Sequence, residues 1–375
     1  MRRPVLLAAT GLATLALLGT ACEPDTSTPP PTTPTTSSPW TIPPSTAAPT
    51  TRASTTTSTT RPTTTTSRPT TTTTRVTTTT APPAGSTPAI GSCLLTPASS
   101  FWHADVRGLP VKTGSSTWIS EQSTRGLKAD FGSGLWEGDK IGIPYNVVGA
   151  AQPKVAVTFG DYADESDPGP YPIPPNAQIE GANSDGDRHV LVVDQDGCKL
   201  YETGNTYANG NGTWRASGGA TWNLTSNAMR PLGWTSSDAA GLPILPGLVR
   251  YDEVASGSVN HVIRITMPST ADAYVWPASH KARSGSSTLP MGSWMRLKST
   301  ADLSRVDPAV RPIAVALQKY GAVVADNGSP FYLSGAPDER WDNDELQTLG
   351  TLKGSDFEFV DASSLMVSST SYQAH

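Results

Sequence analysis

A long run of threonine, proline and serine limits how much of this chain can fold. From about Asp25 to Gly85 the sequence contains little else besides scattered arginine and alanine. Such a segment has too little apolar side chain to offset the entropy that ordering would cost. Proline keeps it extended, and at roughly 3 Å per residue its reach is on the order of 190 Å. We therefore expect a stalk over residues 22–85 and a single folded domain over residues 86–375.

The residues before the stalk have the features of an export signal. Arg2 and Arg3 give a positive start, an apolar stretch runs from Val5 to Leu18, and small residues follow. The apolar stretch is too short and has the wrong flanks for a membrane-spanning helix. We interpret residues 1–21 as a cleaved signal peptide and expect an exported protein.

The three cysteines predict a lipid anchor and a disulfide. Cys22 would begin the mature chain, and its context resembles the bacterial lipoprotein signal, in which the cysteine is acylated. Gly19 departs from that signal, which prefers an aliphatic residue there. Cys93 and Cys198 both lie in the foldable part, and exported chains oxidise accessible pairs, so we predict a Cys93–Cys198 disulfide. Cys22 would then hold a lipid anchor at the cell surface; ordinary signal-peptidase cleavage, a free thiol and an intermolecular bridge are the alternatives.

The foldable part is acidic. The first 85 residues carry six arginines, no lysine and two acids, so 21 of the 27 basic and 30 of the 32 acidic residues follow Gly85, a net charge of −9. No basic cluster is present in the sequence. Nucleic-acid binding needs a basic patch or stripe, so we exclude nucleic acid as a partner. We expect a monomer that touches a membrane only through an anchor at Cys22.

Short alternating apolar segments predict a mainly β domain. Val155, Val157 and Phe159 occupy every second position, as in a half-buried strand. The run from His189 to Glu202 holds two apolar segments around a turn at 195–197, a hairpin signal. Strands of this length between glycine-, proline- and serine-rich turns favour a β-sandwich or jelly roll. Further strands are predicted at 259–268, 271–278 and 293–299.

Helix is predicted only late in the chain. Residues 307–321 combine Asp307 as N-cap, an apolar periodicity and Gly321 as the stop. A second short helix is predicted at 342–350, capped by Asp342 or Asn343. We find no glycine-rich phosphate-binding motif. We also find no nucleophile elbow, and Cys93 and Cys198 fit a bridge better than nucleophiles, so serine or cysteine hydrolase chemistry is disfavoured.

Three histidines stand beside acids near predicted strands. His189 follows Asp187, His261 follows Asp252 across a turn, and His280 closes the segment 271–280. A histidine oriented by a carboxylate can act as a general base, and three histidines from separate strands could also hold a metal. A structural hydrogen bond is the alternative for each. Because its neighbours at two-residue spacing are apolar, His261 should point inward and need Asp252 or Asp187 as a partner.

The acids form a second set of candidates. Enzymes that cleave sugars commonly use two carboxyl groups, one as acid and the other as base or nucleophile. Acids at strand ends are also ordinary turn formers. We single out Glu180, Asp187 and Asp252 as candidate catalytic residues from a wider set that lies in or beside predicted strands: Glu180, Asp187, Asp194, Glu202, Asp238, Asp252, Glu253 and Asp326. No compact metal-ligand motif is present, so we predict no cofactor and leave a divalent metal as the open alternative.

Several phrases of the foldable part are long enough to be specific: SDPGPYPIP, GDRHVLVVDQDGCKLYE, WTSSDAAGLPILPGLVRYDEV, YVWPASH, MGSWMRLK, KYGAVVADNGSPFYLSGAPDERW and NDEL. They resemble a family of exported bacterial proteins, of the actinobacterial type, for which no function is securely known. The resemblance covers nearly all of residues 100–361 and implies one integral domain. It implies no catalytic residues, so the site must be argued from chemistry.

These observations lead to three hypotheses about function. The first is a carbohydrate-active enzyme, a hydrolase or lyase acting on a polysaccharide or cell-wall glycan. In it Asp187 and His189 form an acid–base dyad, His261 and His280 line the cleft, and the many tryptophans stack on sugars. The second is a non-catalytic glycan- or wall-binding module whose histidines are structural. The third is a three-histidine metal enzyme.

Overall fold

The computed structural model describes residues 88–122 and 125–375. The chain divides into two units, Met1–Thr74 and Arg75–His375, and all the described residues belong to the second. The predicted signal peptide, the anchor at Cys22 and the stalk up to residue 85 lie outside the described residues. Within the described part, no helix has the length and apolar character needed to cross a membrane.

Strands outnumber helices in the described part, which confirms the mainly β class. The helices are α1 (Ser115–Gln122), α2 (Tyr251–Ala255), α3 (Arg311–Lys319) and α4 (Asn343–Gln347). The strands are β1 (Ala89–Ile90), β2 (Cys93–Leu94), β3 (Lys128–Asp130), β4 (Leu135–Trp136), β5 (Asp139–Lys140), β6 (Tyr145–Val148), β7 (Val157–Phe159), β8 (Val190–Asp194), β9 (Lys199–Gly204), β10 (Tyr207–Ala208), β11 (Trp214–Ala216), β12 (Gly218–Asn223), β13 (Ile263–Met267), β14 (Trp294–Leu297), β15 (Ala322–Asn327), β16 (Tyr332–Ser334) and β17 (Phe357–Val360).

The largest sheet has six strands in the order β17-β14-β15-β13-β16-β3. Strand β13 runs parallel to β15, and β16 runs parallel to β3. The pairing of β13 with β15 shifts register between Ile265 and Thr266, and such an irregularity re-aims the side chains beside it. Helix α3 packs beside β14, and the buried apolar side chains of both belong to the main core.

A second sheet has four strands in the order β12-β9-β8-β6. Val190 and Val192 of its strand β8 belong to a small apolar cluster, whereas Leu191 and Val193 belong to the main core. Because successive side chains of a strand point to opposite faces, a strand buried on both faces has a continuous apolar sequence. This explains the run Val190–Val193, which enters the structure directly after His189.

The disulfide prediction is confirmed. Cys93 in β2 is bonded to Cys198, with a Cα–Cα distance of 5.3 Å. Cys198 lies in the turn between β8 and β9 and has a positive φ of 46°. The bond therefore fastens the short hairpin β1–β2 to the tip of the β8–β9 hairpin.

All but one of the predicted strand segments contain a strand, although the strands are shorter than predicted. The hairpin around 195–197 forms, as β8 and β9, and the segments 153–160, 259–268 and 293–299 contain β7, β13 and β14. The segment 271–278 is wrong as a strand, because it forms only a single bridge, from Tyr274 to Met291. Its Trp276–Pro277 bond is cis, and proline cannot donate to a strand ladder.

The helix predictions need two corrections. Helix α3 starts at Arg311 with Pro312 in its first turn, so proline begins the helix, and Asp307 caps an earlier turn through the Ala309 N–H (2.9 Å). Helix α1 lies early in the chain, which contradicts the expectation that helices occur only late. Helix α4 forms as predicted, with Asp342 accepting hydrogen bonds at its N-terminus.

The jelly-roll arrangement is not confirmed. A jelly roll is built from antiparallel strands, whereas the two main sheets here include the parallel pairs β13/β15, β16/β3 and β6/β8. The structure thus supports a mainly β domain of mixed sheets.

Candidate functional site

A row of polar side chains crosses four strands of the six-stranded sheet. Arg264 on β13 donates from Nη1 to Ser334 Oγ on β16 (2.6 Å) and from Nη2 to Asp326 Oδ2 on β15 (3.0 Å). Ser334 is paired with Asp130 on the parallel neighbour β3. The register therefore brings Asp130, Ser334, Arg264 and Asp326 together from strands that are distant in sequence.

Two chain segments add charged groups to this row. The loop before β8 contributes Glu180, Asp187 and His189, and the turn at Ser236–Asp238 contributes Asp238. Each of these groups influences the pKa of at least one other in the set. We call the following residues the acid cluster: Asp130, Glu180, Asp187, His189, Asp238, Arg264 and Asp326.

Arg264 is the central cation of the acid cluster. Its Nε donates to Asp238 Oδ2 (3.0 Å) and its Nη2 to Asp238 Oδ1 (2.9 Å), a bidentate geometry suited to a carboxylate. Burial opposes the charge on Arg264, but Asp238 and Asp326 outweigh that effect and raise its pKa. Both carboxyls share this one cation, so it can fully balance only one of them.

Asp326 is the carboxyl that Arg264 balances less completely. It receives one guanidinium nitrogen, against two at Asp238. Burial, followed by the negative charge of Asp238, raises the pKa of Asp326 to about 7. Its side chain is still 21% exposed. Asp326 is therefore a carboxyl that can hold a proton near neutral pH and pass it to a molecule in solvent.

His189 forms a buried ion pair with Glu180. Its Nδ1 contacts Glu180 Oε2, and its Nε2 donates to the Ser237 carbonyl (2.9 Å). Burial opposes protonation of His189, but the Glu180 charge and hydrogen bond outweigh it and raise its pKa to about 10. Burial likewise opposes ionisation of Glu180, and the His189 charge outweighs it and lowers the Glu180 pKa. With both ring nitrogens bonded to acceptors, His189 is an imidazolium that holds Glu180 and the Ser237 loop in place.

The position of His189 at the mouth of β8 follows from the turn before it. Arg188 has a positive φ of 45° and is buried. Its Nη1 donates to the carbonyls of Ala182 (2.5 Å) and Ser184 (3.0 Å), and its Nε to that of Thr206 (3.2 Å). Arg188 thus closes the loop on itself, which brings Glu180 back beside His189 across nine residues.

The structure gives His189 a different partner from the predicted one. Glu180, and not Asp187, receives the hydrogen bond. Asp187 is exposed and acts on the cluster through its charge, raising the pKa values of His189, Asp130 and Asp326. Asp130 is also reached by solvent, and partial burial followed by the Glu180 charge raises its pKa. The cluster therefore opens to solvent at these two carboxyls.

His261 belongs to a separate structural network. It is buried, as predicted, but its partner is Glu253 (Nε2 to Oε2, 3.3 Å), while Nδ1 donates to the Val262 carbonyl (2.7 Å). The predicted partner Asp252 precedes Glu253 on helix α2, faces solvent and pairs with Arg340 (2.8 Å). Adjacent residues on a helix point in different directions, which is why Asp252 is wrong as the partner. Asp187 takes no part in this network, because it lies at the acid cluster.

His280 is half-buried and bonds to the backbone. Its Nδ1 donates to the Ala239 carbonyl (2.8 Å), next to Asp238. The three histidines have entirely different partners, and among the described residues no group of three or more histidine, cysteine or acidic side chains could hold a metal ion. The metal-triad hypothesis therefore gains no support from this arrangement.

Four residues of the acid cluster were not among the catalytic candidates, although two of them, Asp238 and Asp326, were in the wider set of acids. Arg264 and Asp130 were missed altogether. The available signal was Arg264 itself, a charged residue inside the apolar strand sequence IRITM. A charge in such a strand is buried only when paired.

Glu202 is a buried carboxyl with a structural role. It accepts from the backbone N–H groups of Ile244 and Leu245 (both 3.0 Å) and from Trp222 Nε1 (3.1 Å). Burial raises its pKa to about 7. These donors use both carboxyl oxygens, so Glu202 fixes the backbone at 244–245 and leaves no oxygen for substrate.

Most of the tryptophans in residues 88–122 and 125–375 are buried or half-buried, so they offer no open face to a sugar ring. Among the described residues, Trp136 on β4 is the only one that is largely exposed, at 70% of its surface, and its neighbour Leu135 is also exposed. The hairpin β4–β5 is fastened to the loop of the acid cluster, because Asn183 donates from its backbone and its side chain to Asp139 (3.0–3.2 Å). Trp136 thus stands on a hairpin that is joined to the loop between Glu180 and His189.

Comparison with family models, with curated proteins and with solved structures finds no match for this chain.

Proposed function

We propose that this protein is an exported cell-surface glycan hydrolase whose active site is the acid cluster. The observation that carries the proposal is the pairing of a carboxyl that is protonated near neutral pH, Asp326, with the exposed carboxylate of Asp187 in the same charged cluster. Hydrolysis of a glycosidic bond requires such a pair, one group to protonate the leaving oxygen and the other to activate water or attack the sugar.

Asp326 is the proton donor in this proposal. It gives its proton to the glycosidic oxygen as the bond from that oxygen to the sugar carbon breaks. The cluster contains five carboxyls against two cations, Arg264 and His189, and this excess of negative charge favours one protonated carboxyl. Arg264 keeps Asp326 oriented through its 3.0 Å hydrogen bond and leaves its proton available to the substrate.

Asp187 is the proposed base or nucleophile. It is exposed beside the cluster, so water or a sugar can reach it. As a base it removes a proton from the water that adds to the sugar carbon; as a nucleophile it forms a sugar ester that water then cleaves. His189 and Glu180 are positioning residues: their ion pair fixes the loop that carries Asp187, and Arg188 closes that loop.

The exposed hairpin supports a glycan as the substrate. Trp136 offers an accessible indole face on which the apolar face of a sugar ring can stack. Its hairpin is joined to the loop of the cluster through Asn183 and Asp139, so a chain bound there can extend towards the carboxyls. A stalk-borne, acidic domain is suited to a neutral polysaccharide or wall glycan.

The test is a hydrolysis assay of the full chain on bacterial, plant and fungal polysaccharides, with reducing ends and unsaturated products followed separately. We expect new reducing ends without ultraviolet absorbance from unsaturated sugars. Asp326→Asn should lower the rate by about 10²- to 10⁴-fold, since it removes the proton donor, and Asp187→Asn should do likewise. Asp252→Asn is the matched control, because that acid forms a surface pair with Arg340, and its rate should be unchanged.

The other outcomes each reject part of the proposal. Unsaturated products would replace the hydrolase by a lyase. Full activity in Asp326→Asn would show that the reaction does not take place at the acid cluster. Binding to one glycan with no turnover, lost in Trp136→Ala, would favour the non-catalytic binding module, for which the exposed Trp136 is the supporting observation.

A further inference from the structure

A groove follows the outer edge of strand β6. Its volume is about 800 Å³, within the size range of small-ligand sites, and none of the residues lining it belongs to the acid cluster. All of β6, Tyr145–Val148, lines the groove, and a strand of that length spans about 13 Å. The groove is therefore an elongated surface site that is separate from the proposed active site.

The backbone of β6 offers one donor and one acceptor to the groove. β6 is the outermost strand of the four-stranded sheet and pairs with β8 on its inner side. On that side the Gln195 N–H donates to the Val148 carbonyl (3.0 Å). Because alternate residues of a parallel strand bond to the same neighbour, the N–H and C=O of Val147 point away from β8. Within the described part of the chain, no strand pairs with that outer side.

The outer edge of β6 is closed on both sides of Val147. Gln178 Nε2 donates to the Tyr145 carbonyl (3.3 Å), and the Gln152 N–H donates to the Gly149 carbonyl (3.0 Å). A peptide that adds a strand to a sheet needs a row of open backbone groups, and only one residue is open here. The single open pair suits a hydroxyl group, which both donates and accepts hydrogen bonds.

Side-chain amides add further polar groups to the groove. Asn176 is exposed, and its amide makes no hydrogen bond to the described residues, so it offers two donors and an acceptor. Gln152 uses Nε2 on the Pro153 carbonyl (3.2 Å), which leaves its Oε1 as an acceptor. Apolar surface lies beside these groups, because the Val147 side chain is 44% exposed and Pro153 is also exposed. The C–H face of a sugar ring can pack on such surface while its hydroxyls bond to the amides.

The charges of the groove favour a neutral ligand. None of the residues lining it is charged. Charged residues beside it, but outside its lining, are Lys140, Lys154 and Asp196, each bonded to a protein group. They carry both signs, so they do not favour an anion or a cation as a group. A charged ligand would lose hydration without gaining an opposite charge in the groove.

We propose that the groove along β6 binds a short run of neutral sugar units of a glycan. Hydroxyl groups of the glycan bond to the Val147 backbone and to the amides of Asn176 and Gln152, and its apolar faces pack on Val147 and Pro153. The groove binds without cleaving, because no carboxyl group lines it. It goes beyond the proposed function, since binding here does not depend on hydrolysis at the acid cluster.

The test is isothermal titration calorimetry on the full chain carrying Asp326→Asn and Trp136→Ala, which prevent turnover and remove the exposed indole of the other site. The neutral probes are the hexasaccharides of cellulose, xylan, mannan and chitin. The comparators are the hexamers of galacturonic acid and of glucosamine, and a capped hexapeptide of alternating threonine and valine. We expect at least one neutral hexasaccharide to bind, and each comparator to bind at least tenfold more weakly.

Two variants locate the binding. Ala151 is exposed and lines the groove, so Ala151→Trp should fill it without disturbing the core and should weaken binding at least tenfold. Asn176→Ala should weaken binding about two- to tenfold, the loss of one hydrogen bond. Ala228→Trp is the matched control, because Ala228 is an exposed alanine outside the groove, and the affinity should be unchanged.

Three results would overturn the proposal. One is the absence of binding by every neutral hexasaccharide, whether or not the acid cluster proves to hydrolyse a glycan. Another is binding that survives Ala151→Trp, which would place the sugar elsewhere. The third is binding of the hexapeptide in preference to the sugars, which would make the edge of β6 a site for strand addition.

Discussion

The Cys93–Cys198 disulfide gives the most quantitative prediction about this domain. It joins residues 105 apart in sequence, and on the chain-entropy treatment a loop of that length adds about 4.8 kcal/mol to the free energy of unfolding at 25 °C. For the roughly 290 residues from 86 to 375, the entropy of unfolding is about 0.6 kcal/mol per kelvin. Removing the bond should therefore lower Tm by about 8 °C.

The assay is thermal unfolding of three forms of the protein. One is the oxidised wild type, one is the wild type reduced in denaturant and refolded with reductant, and one is the double variant Cys93→Ala/Cys198→Ala. The reduced wild type keeps both sulfur atoms, so it isolates the loss of the cross-link from the loss of buried volume. A reduced form that melts within about 2 °C of the oxidised form would refute the loop-entropy reasoning, since the expected shift is several times larger.

Three further predictions concern the acid cluster. His189→Gln leaves Glu180 without its cation and should cost about 3–5 kcal/mol of unfolding free energy, whereas His280→Gln, which loses one backbone hydrogen bond, should cost far less in the same denaturant titration. The His189–Glu180 ion pair should stabilise the wild type most between pH 4.5 and 6.5, the ordinary pKa values of the two groups. Because the pKa of His189 is raised, the stability that His189 contributes is lost as pH rises from 6.5 towards about 10. Because the pKa of Glu180 is lowered, the stability that Glu180 contributes is lost as pH falls below 4.5. A pH series of unfolding curves without that maximum would contradict the assignment. Hydrolysis should decline about tenfold per pH unit above pH 7, because Asp326 must be protonated with a pKa of about 7, and a rate that stays flat to pH 9 would exclude Asp326 as the donor.

Local patterns in the sequence predicted those parts of the fold that depend on residues close together in the sequence. The β8–β9 hairpin and helix α4 follow from alternation and capping over a few residues. The failed strand at 271–278 has the apolar content of a strand but contains Pro277, and only the folded context shows that no ladder forms there.

The site depended on contacts that no local pattern records. Arg264 binds Asp238 and Asp326 across 26 and 62 residues, and the order of strands in the sheet brings them together. Asp187 is nearer to His189 in sequence than Glu180 is, yet the loop held by Arg188 reverses the chain and presents Glu180 instead. The sequence singled out the segment from Glu180 to His189, and only the geometry shows which of its residues come together.

The strand β8 has a consequence for how the domain opens. Because Val190 and Val192 pack in one apolar cluster and Leu191 and Val193 in the other, displacing this strand exposes both clusters at once. The amide hydrogens of Leu191–Val193 should therefore exchange with solvent only through global unfolding, at the slowest rates in the protein. Proteases that cleave transiently opened forms would then find no stable half-open state of this domain to attack.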